Sequence, residues 1–124
     1  MLIRDIRDGV HERVMDNSLL CELLHPGREA APTGMRYSIA HARVPAGERT
    51  FPHRLKTASE VYYILDGEGC MHIDGETASV RPGQAIYIPP GAVQWIESTA
   101  ASDLIFLCLV DPMWREDEEE LIGR

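Results

Sequence analysis

The stretch that decides the fold runs from Gly47 to Gly67 and reads GERTFPHRLKTASEVYYILDG. One histidine and one carboxylate stand in it between two glycines: Gly47, five residues, His53, six residues, Glu60, six residues, Gly67. Its second half, Glu60 to Leu65 (EVYYIL), is rich in β-branched and aromatic residues and stops at Asp66-Gly67. That composition predicts a strand closed by a turn. A second framework follows at Gly83, Pro89, Gly91 and Gln94. Between the two, Cys70 to Ile73, the turn Asp74-Gly75 and Thr77 to Val80 predict a hairpin.

Working outward, strands are predicted at Leu19 to Leu24, Tyr37 to Val44, Ala85 to Ile88, Val93 to Ile96 and Leu104 to Val110. Short strands with turn residues every few positions indicate an all-β sandwich or barrel. Residues 1–34 read as an N-terminal arm and strand packing on the barrel, 35–110 as the barrel, and 111–124 as an acidic tail. The tail, Met113 to Leu121, is the one late helix candidate, because Asp111-Pro112 is a suitable helix start.

A chain of 124 residues is most simply one domain. At 44% hydrophobic and 26% charged, it has the composition of a soluble globular protein. The formal net charge of −8 argues against nucleic acid, whose binders need a basic surface, and offers nothing to an anionic membrane. No apolar run approaches the length of a membrane span, and charges interrupt the first residues throughout. Cytoplasmic residence is the expectation. Cys21, Cys70 and Cys108 are odd in number and lack close pairing, which fits reduced thiols.

The two frameworks together resemble those of the cupin superfamily, in particular its small single-domain members. The family's first motif is Gly-x5-His-x-His-x3–4-Glu-x6-Gly, and Gly47, His53, Glu60 and Gly67 match it. Its second is Gly-x5-Pro-x-Gly-x2-His-x3-Asn, and Gly83, Pro89 and Gly91 match it. The resemblance covers about Tyr37 to Val110. It implies a double-stranded β-helix, or jelly-roll, barrel, usually as a homodimer, with one divalent metal held inside by the motif residues. The departures are specific. The second histidine of the first motif falls at Leu55, the histidine of the second at Gln94, and its asparagine at Ser98. A set of His53, Glu60 and Gln94 remains for Mn, Fe, Ni or Zn. It is weak or empty of metal, because an amide oxygen is a poorer donor than imidazole and leucine donates nothing.

Strand alternation assigns the remaining lining. If Glu60 points inward, so do Tyr62 and Ile64, while Val61, Tyr63 and Leu65 face out. Met71 and Ile73, Ile86 and Ile88, and Gln94 and Ile96 then point inward, leaving Cys70, His72, Tyr87 and Trp95 outside. The cavity is expected to be mostly apolar, with Leu55, Tyr62 and Met71 against a ligand, and Glu60 or Tyr62 handling a proton. Leu104 to Val110 is apolar on both faces, which argues for a strand covered on both sides and hence for a dimer.

Two functions follow. One is a small-molecule enzyme of isomerase or lyase type using a divalent metal, acting on an oxygenated substrate. The other is a non-catalytic binder or sensor with a degenerate metal site. The resemblance does not choose between them.

Overall fold

The computed structural model describes residues 1–124. Eleven strands form two antiparallel sheets. The first sheet contains β1 (Glu12–Arg13), β2 (Leu19–Leu24), β3 (Ser38–Val44), β10 (Leu104–Asp111), β5 (Ser59–Asp66) and β8 (Ala85–Ile88), in that spatial order. The second contains β11 (Glu119–Leu121), β4 (His53–Leu55), β9 (Gln94–Ser98), β6 (Gly69–Ile73) and β7 (Glu76–Val80). No helix is long and apolar enough to cross a membrane.

The alternation read from the sequence organises the interior. Along β5, Glu60, Tyr62 and Ile64 are buried while Tyr63 and Leu65 are exposed. Along β10, Leu104, Phe106, Cys108 and Val110 are buried, and along β9, Gln94 and Ile96. These residues face one another across the two sheets. Ile64, Phe106, Ile96 and Leu104 anchor a cluster of 12 buried residues. A smaller cluster comprises Leu55, Ala58 and Val110, with Trp114 against it. Both supply stability through removal of apolar surface from water, and Tyr62, Phe106, Cys108 and Val110 from the two clusters also form part of the wall of a cavity.

Turn chemistry fixes the registers. Asp74 and Gly75 both have positive φ, as a two-residue hairpin between β6 and β7 requires, and Ile73 pairs with Glu76 across it. Gly67 has φ of 81°, and a Cβ there would lie 2.4 Å from the Asp103 carbonyl oxygen. Glycine is therefore demanded at this motif position by both backbone conformation and space.

One sequence expectation fails. Met113 to Leu121 is not a helix. It forms a single 3₁₀ turn at Glu116–Glu118 and then strand β11, which pairs with β4 at Leu121–His53, Glu120–Arg54 and Glu119–Leu55. The local signal loses to a tertiary one. The Glu118 carboxylate accepts from the backbone N–H of Thr57 and Ala58, both at 2.9 Å, and from the Thr57 hydroxyl at 2.6 Å. The edge of β4 then supplies hydrogen-bond partners that an isolated short helix would lack. His25 is buried. Its ring joins the Gly27 N–H to the Trp114 carbonyl and so ties the arm to the C-terminal segment.

Candidate functional site

Strand β4 carries His53, and its single pairing with β9 places His53 directly opposite Gln94. Strand β5 carries Glu60 and Tyr62 on the inward face. All four are buried. Gln94 donates from Nε2 to Glu60 Oε1 at 2.8 Å. His53 is held from behind, with Nδ1 2.6 Å from the Phe51 carbonyl oxygen. A carbonyl can only accept, so Nδ1 carries the hydrogen, and Nε2 is turned toward Asp16 Oδ2 at 3.5 Å. Asp16 is itself fixed by the backbone N–H and the hydroxyl of Ser18.

Asp16, His53, Glu60 and Tyr62 border a cavity of about 560 Å³. His53, Glu60, Tyr62 and Cys108 line its barrel side, Asp16 its arm side, and Trp114 and Glu119 its C-terminal side. The Trp114 indole N–H donates to Glu119 at 3.1 Å. Both ends of the chain therefore close over the mouth of the barrel.

The electrostatics are those of an acidic pocket. Burial pushes Glu60 up from its ordinary 4.5 to about 7, although the Gln94 hydrogen bond and the nearby His53 pull the other way. Burial and then the Asp16 carboxylate raise Glu119 as well. Burial, reinforced by Glu60, lifts the Tyr62 hydroxyl and the Cys108 thiol well above their usual ranges. Cys108 is thus no thiolate nucleophile at neutral pH.

The residues expected from sequence divide into two groups. His53, Glu60 and Tyr62 reach the cavity. Gln94, Leu55 and Met71 are not among its lining residues. Gln94 supports Glu60 from the protein side. Leu55 packs with Ala58, Val110 and Trp114, and Met71 belongs to the large core cluster. Sequence reasoning misses Asp16, Glu119 and Trp114 as site residues. Asp16 lies in an arm without periodicity, and Glu119 lies in a charge run that reads as solvated. Only the pairing of β11 with β4 brings Glu119 inside.

A divalent metal inside the barrel finds poor donors in this arrangement. The interior offers one imidazole, and no third His, Cys, Asp or Glu atom joins His53 and Glu60 at mutual ligand spacing. Gln94 turns amide hydrogens, not its oxygen, toward Glu60, and its Oε1 is buried without a hydrogen-bond partner. Leu55 fills a place where a donor would stand. The donor set does not fit a tightly held transition metal.

A sequence model of the cupin domain matches residues 40–110. The chain is 38% identical over 107 residues to an uncharacterised protein of Methanocaldococcus jannaschii, covering 86% of this chain and 83% of that one. The chain belongs to the cupin family. It is also 29% identical over 108 residues to an oxalate-binding protein of Thermotoga maritima, covering 87% of this chain and 83% of that relative. Among solved structures, a protein of Thermotoga maritima described as a predicted oxalate decarboxylase superposes with a TM-score of 0.74 at 25% identity. That match covers 90% of this chain and 99% of the other.

Proposed function

We propose that this cupin binds a small, uncharged, oxygenated molecule in its barrel and moves a proton on it, in chemistry of isomerase or lyase type. The observation that carries this reading is Glu60. It is a buried carboxyl that titrates at about 7, on the wall of a cavity that it shares with His53 and Tyr62. A general acid–base is most effective when its pKa lies near the working pH, because both protonation states are then available. His53 Nε2, oriented by the Phe51 carbonyl, is the natural partner, and Asp16 stands beside it. Tyr62 supplies a hydroxyl that stays protonated and can hydrogen-bond a substrate oxygen.

Charge argues against an anionic substrate. Glu12, Asp16, Glu22, Glu60, Glu116 and Glu119 line the cavity against one arginine, Arg28, which already pairs with Glu22 at 2.6 Å, so a dianion such as oxalate would meet an excess of carboxylates. The oxalate named for the Thermotoga relative therefore does not suit this pocket. The proton transfer falls to the side chains themselves, because the donor set does not hold a metal tightly. The non-catalytic binder is the second reading. The packed Leu55, which stands where the family motif has a histidine, favours it.

Neutral sugars, short hydroxyketones and nucleosides incubated in D₂O and followed by NMR test both readings. Deuterium exchange or conversion that disappears in Glu60→Gln supports the proposal. Binding without exchange, unchanged in Glu60→Gln, supports the binder. Affinity confined to dicarboxylates overturns both. A homodimer is part of the proposal, because Tyr63, Leu65 and Tyr87 are exposed on the outer face of the larger sheet. Light scattering at micromolar concentration checks it, and a monomer would remove that part.

A further inference from the structure

The outer face of the smaller sheet carries a second constellation, separated from the cavity by the barrel wall. Cys70 and His72 lie two apart on β6, so they share the face opposite Met71. Strand β9 sets Glu97 opposite Cys70 and Trp95 opposite His72. One atom each of Cys70, His72 and Glu97 lies within 4.8 Å of the others, and all three residues are half-buried. They are therefore held in place yet reachable from solvent.

The histidine is oriented for a ligand that no protein group supplies. Its ring stacks on Trp95 with centroids 3.5 Å apart and planes within 3°. The Arg49 guanidinium stands 5.3 Å from the same indole and helps to fix it. On the other side Nδ1 meets the Thr77 hydroxyl at 3.0 Å, Thr77 being the residue opposite His72 on β7. A hydroxyl that accepts from Nδ1 leaves Nε2 with a free lone pair. Nε2 is buried and has no hydrogen-bond partner. Glu97 Oε2 is 3.7 Å away, beyond a good hydrogen bond. A buried imidazole nitrogen left bare beside a thiol and a carboxylate calls for explanation.

We propose that Cys70, His72 and Glu97 form an exterior site for a zinc-type divalent cation, with water in the fourth position. The donors are one sulfur, one imidazole nitrogen and one carboxylate oxygen, a set that suits a borderline-soft tetrahedral ion. A thiolate and a carboxylate together neutralise its charge. Tetrahedral zinc needs its ligand atoms about 3.3–3.8 Å apart, given bonds of about 2.0–2.3 Å. The observed cluster therefore has to contract by about 1.5 Å at most, within reach of χ rotations. The site shares no residue with the barrel interior, so it stands independently of the acid–base reading.

Titration of the metal-free, reduced full-length protein with Co²⁺, followed by thiolate-to-cobalt charge-transfer absorption, tests the proposal. One equivalent is expected to produce the band, and Zn²⁺ to displace it. Cys70→Ser should abolish the band, while Cys108→Ser, His53→Ala and Glu60→Gln should leave it. His72→Ala and Glu97→Gln should weaken binding at least tenfold. Thr77→Val, which removes only the partner of Nδ1, should weaken it about tenfold. Circular dichroism of each variant separates loss of binding from loss of fold. Absence of the band in the unmodified protein overturns the proposal. So does a band that survives Cys70→Ser, or one that vanishes with the interior variants.

Discussion

Gln94 and Glu60 form a one-sided pair: the amide nitrogen of Gln94 donates to Glu60 Oε1 at 2.8 Å, and the amide oxygen of Gln94 is buried with no partner at all. The bond favours the ionised form of Glu60 against the much larger effect of burial, which favours the neutral form. Gln94 is thus a brake on the titration of Glu60. Gln94→Leu removes the brake and also the orphaned oxygen. The Glu60 carboxyl should then titrate about one unit higher, as the loss of a hydrogen bond to a charged group implies. Carbon-detected NMR titration of the side-chain carboxyl reads this directly. An unchanged or lowered value would show that the amide does not support the carboxylate.

Burial of Glu60 also makes stability depend on pH. The carboxyl titrates at about 7 in the folded protein against an ordinary 4.5. Between those values the folded state holds the proton and the unfolded state has lost it. Stability contributed by the neutral group is therefore complete below about 4.5, declines as pH rises, and is gone above about 7. A shift of this size corresponds to about 3 kcal/mol. Urea unfolding across this range should show the decline in the unmodified protein, and a curve flatter by about that amount in Glu60→Gln. Parallel curves for the two would exclude Glu60 as the source.

Glu118 clamps the C-terminal segment to the loop between β4 and β5 by accepting from Thr57 and Ala58. These bonds hold its carboxyl below the usual range. Glu118→Ala leaves two backbone N–H groups without their acceptor, at a cost of about 2 kcal/mol. Amide hydrogen exchange should accelerate at Thr57, Ala58 and along β11, while the β5–β10 core stays protected. Loss of protection throughout the sheets would mean that the clamp is part of the global unfolding unit.

The motif glycines serve different purposes. Gly47 has φ of 77° but open space where a Cβ would stand, whereas Gly67 has both a positive φ and the Asp103 carbonyl in the way. Gly47→Ala should cost about 1 kcal/mol, the strain of a left-handed backbone. Gly67→Ala should cost at least about twice that, because backbone must move as well. Thermal unfolding of the two variants gives the order. Equal losses would mean that the Asp103 segment yields freely.

The barrel was largely legible from residue types alone. Turn residues at Gly47, Gly67, Asp74-Gly75 and Gly83 need backbone conformations that few other residues adopt, and period-two burial sorts the strand faces. Those constraints are local, so the sequence determined eight of the eleven strands, their inward residues, and His53, Glu60 and Tyr62 as interior groups, but not the short strands β1, β4 and β11. Non-local contacts decided the rest. The acidic tail became a strand because the open edge of β4 and the N–H groups of Thr57 and Ala58 were there to receive it. Asp16 and Glu119 became cavity residues because both ends of the chain fold over the barrel mouth. Gln94 became a support for Glu60 instead of a wall residue because the single pairing of β4 with β9 sets it beside His53, behind the carboxylate. None of these depends on a residue's own preference. Each depends on which hydrogen-bonding group lies across from it once the sheets have formed.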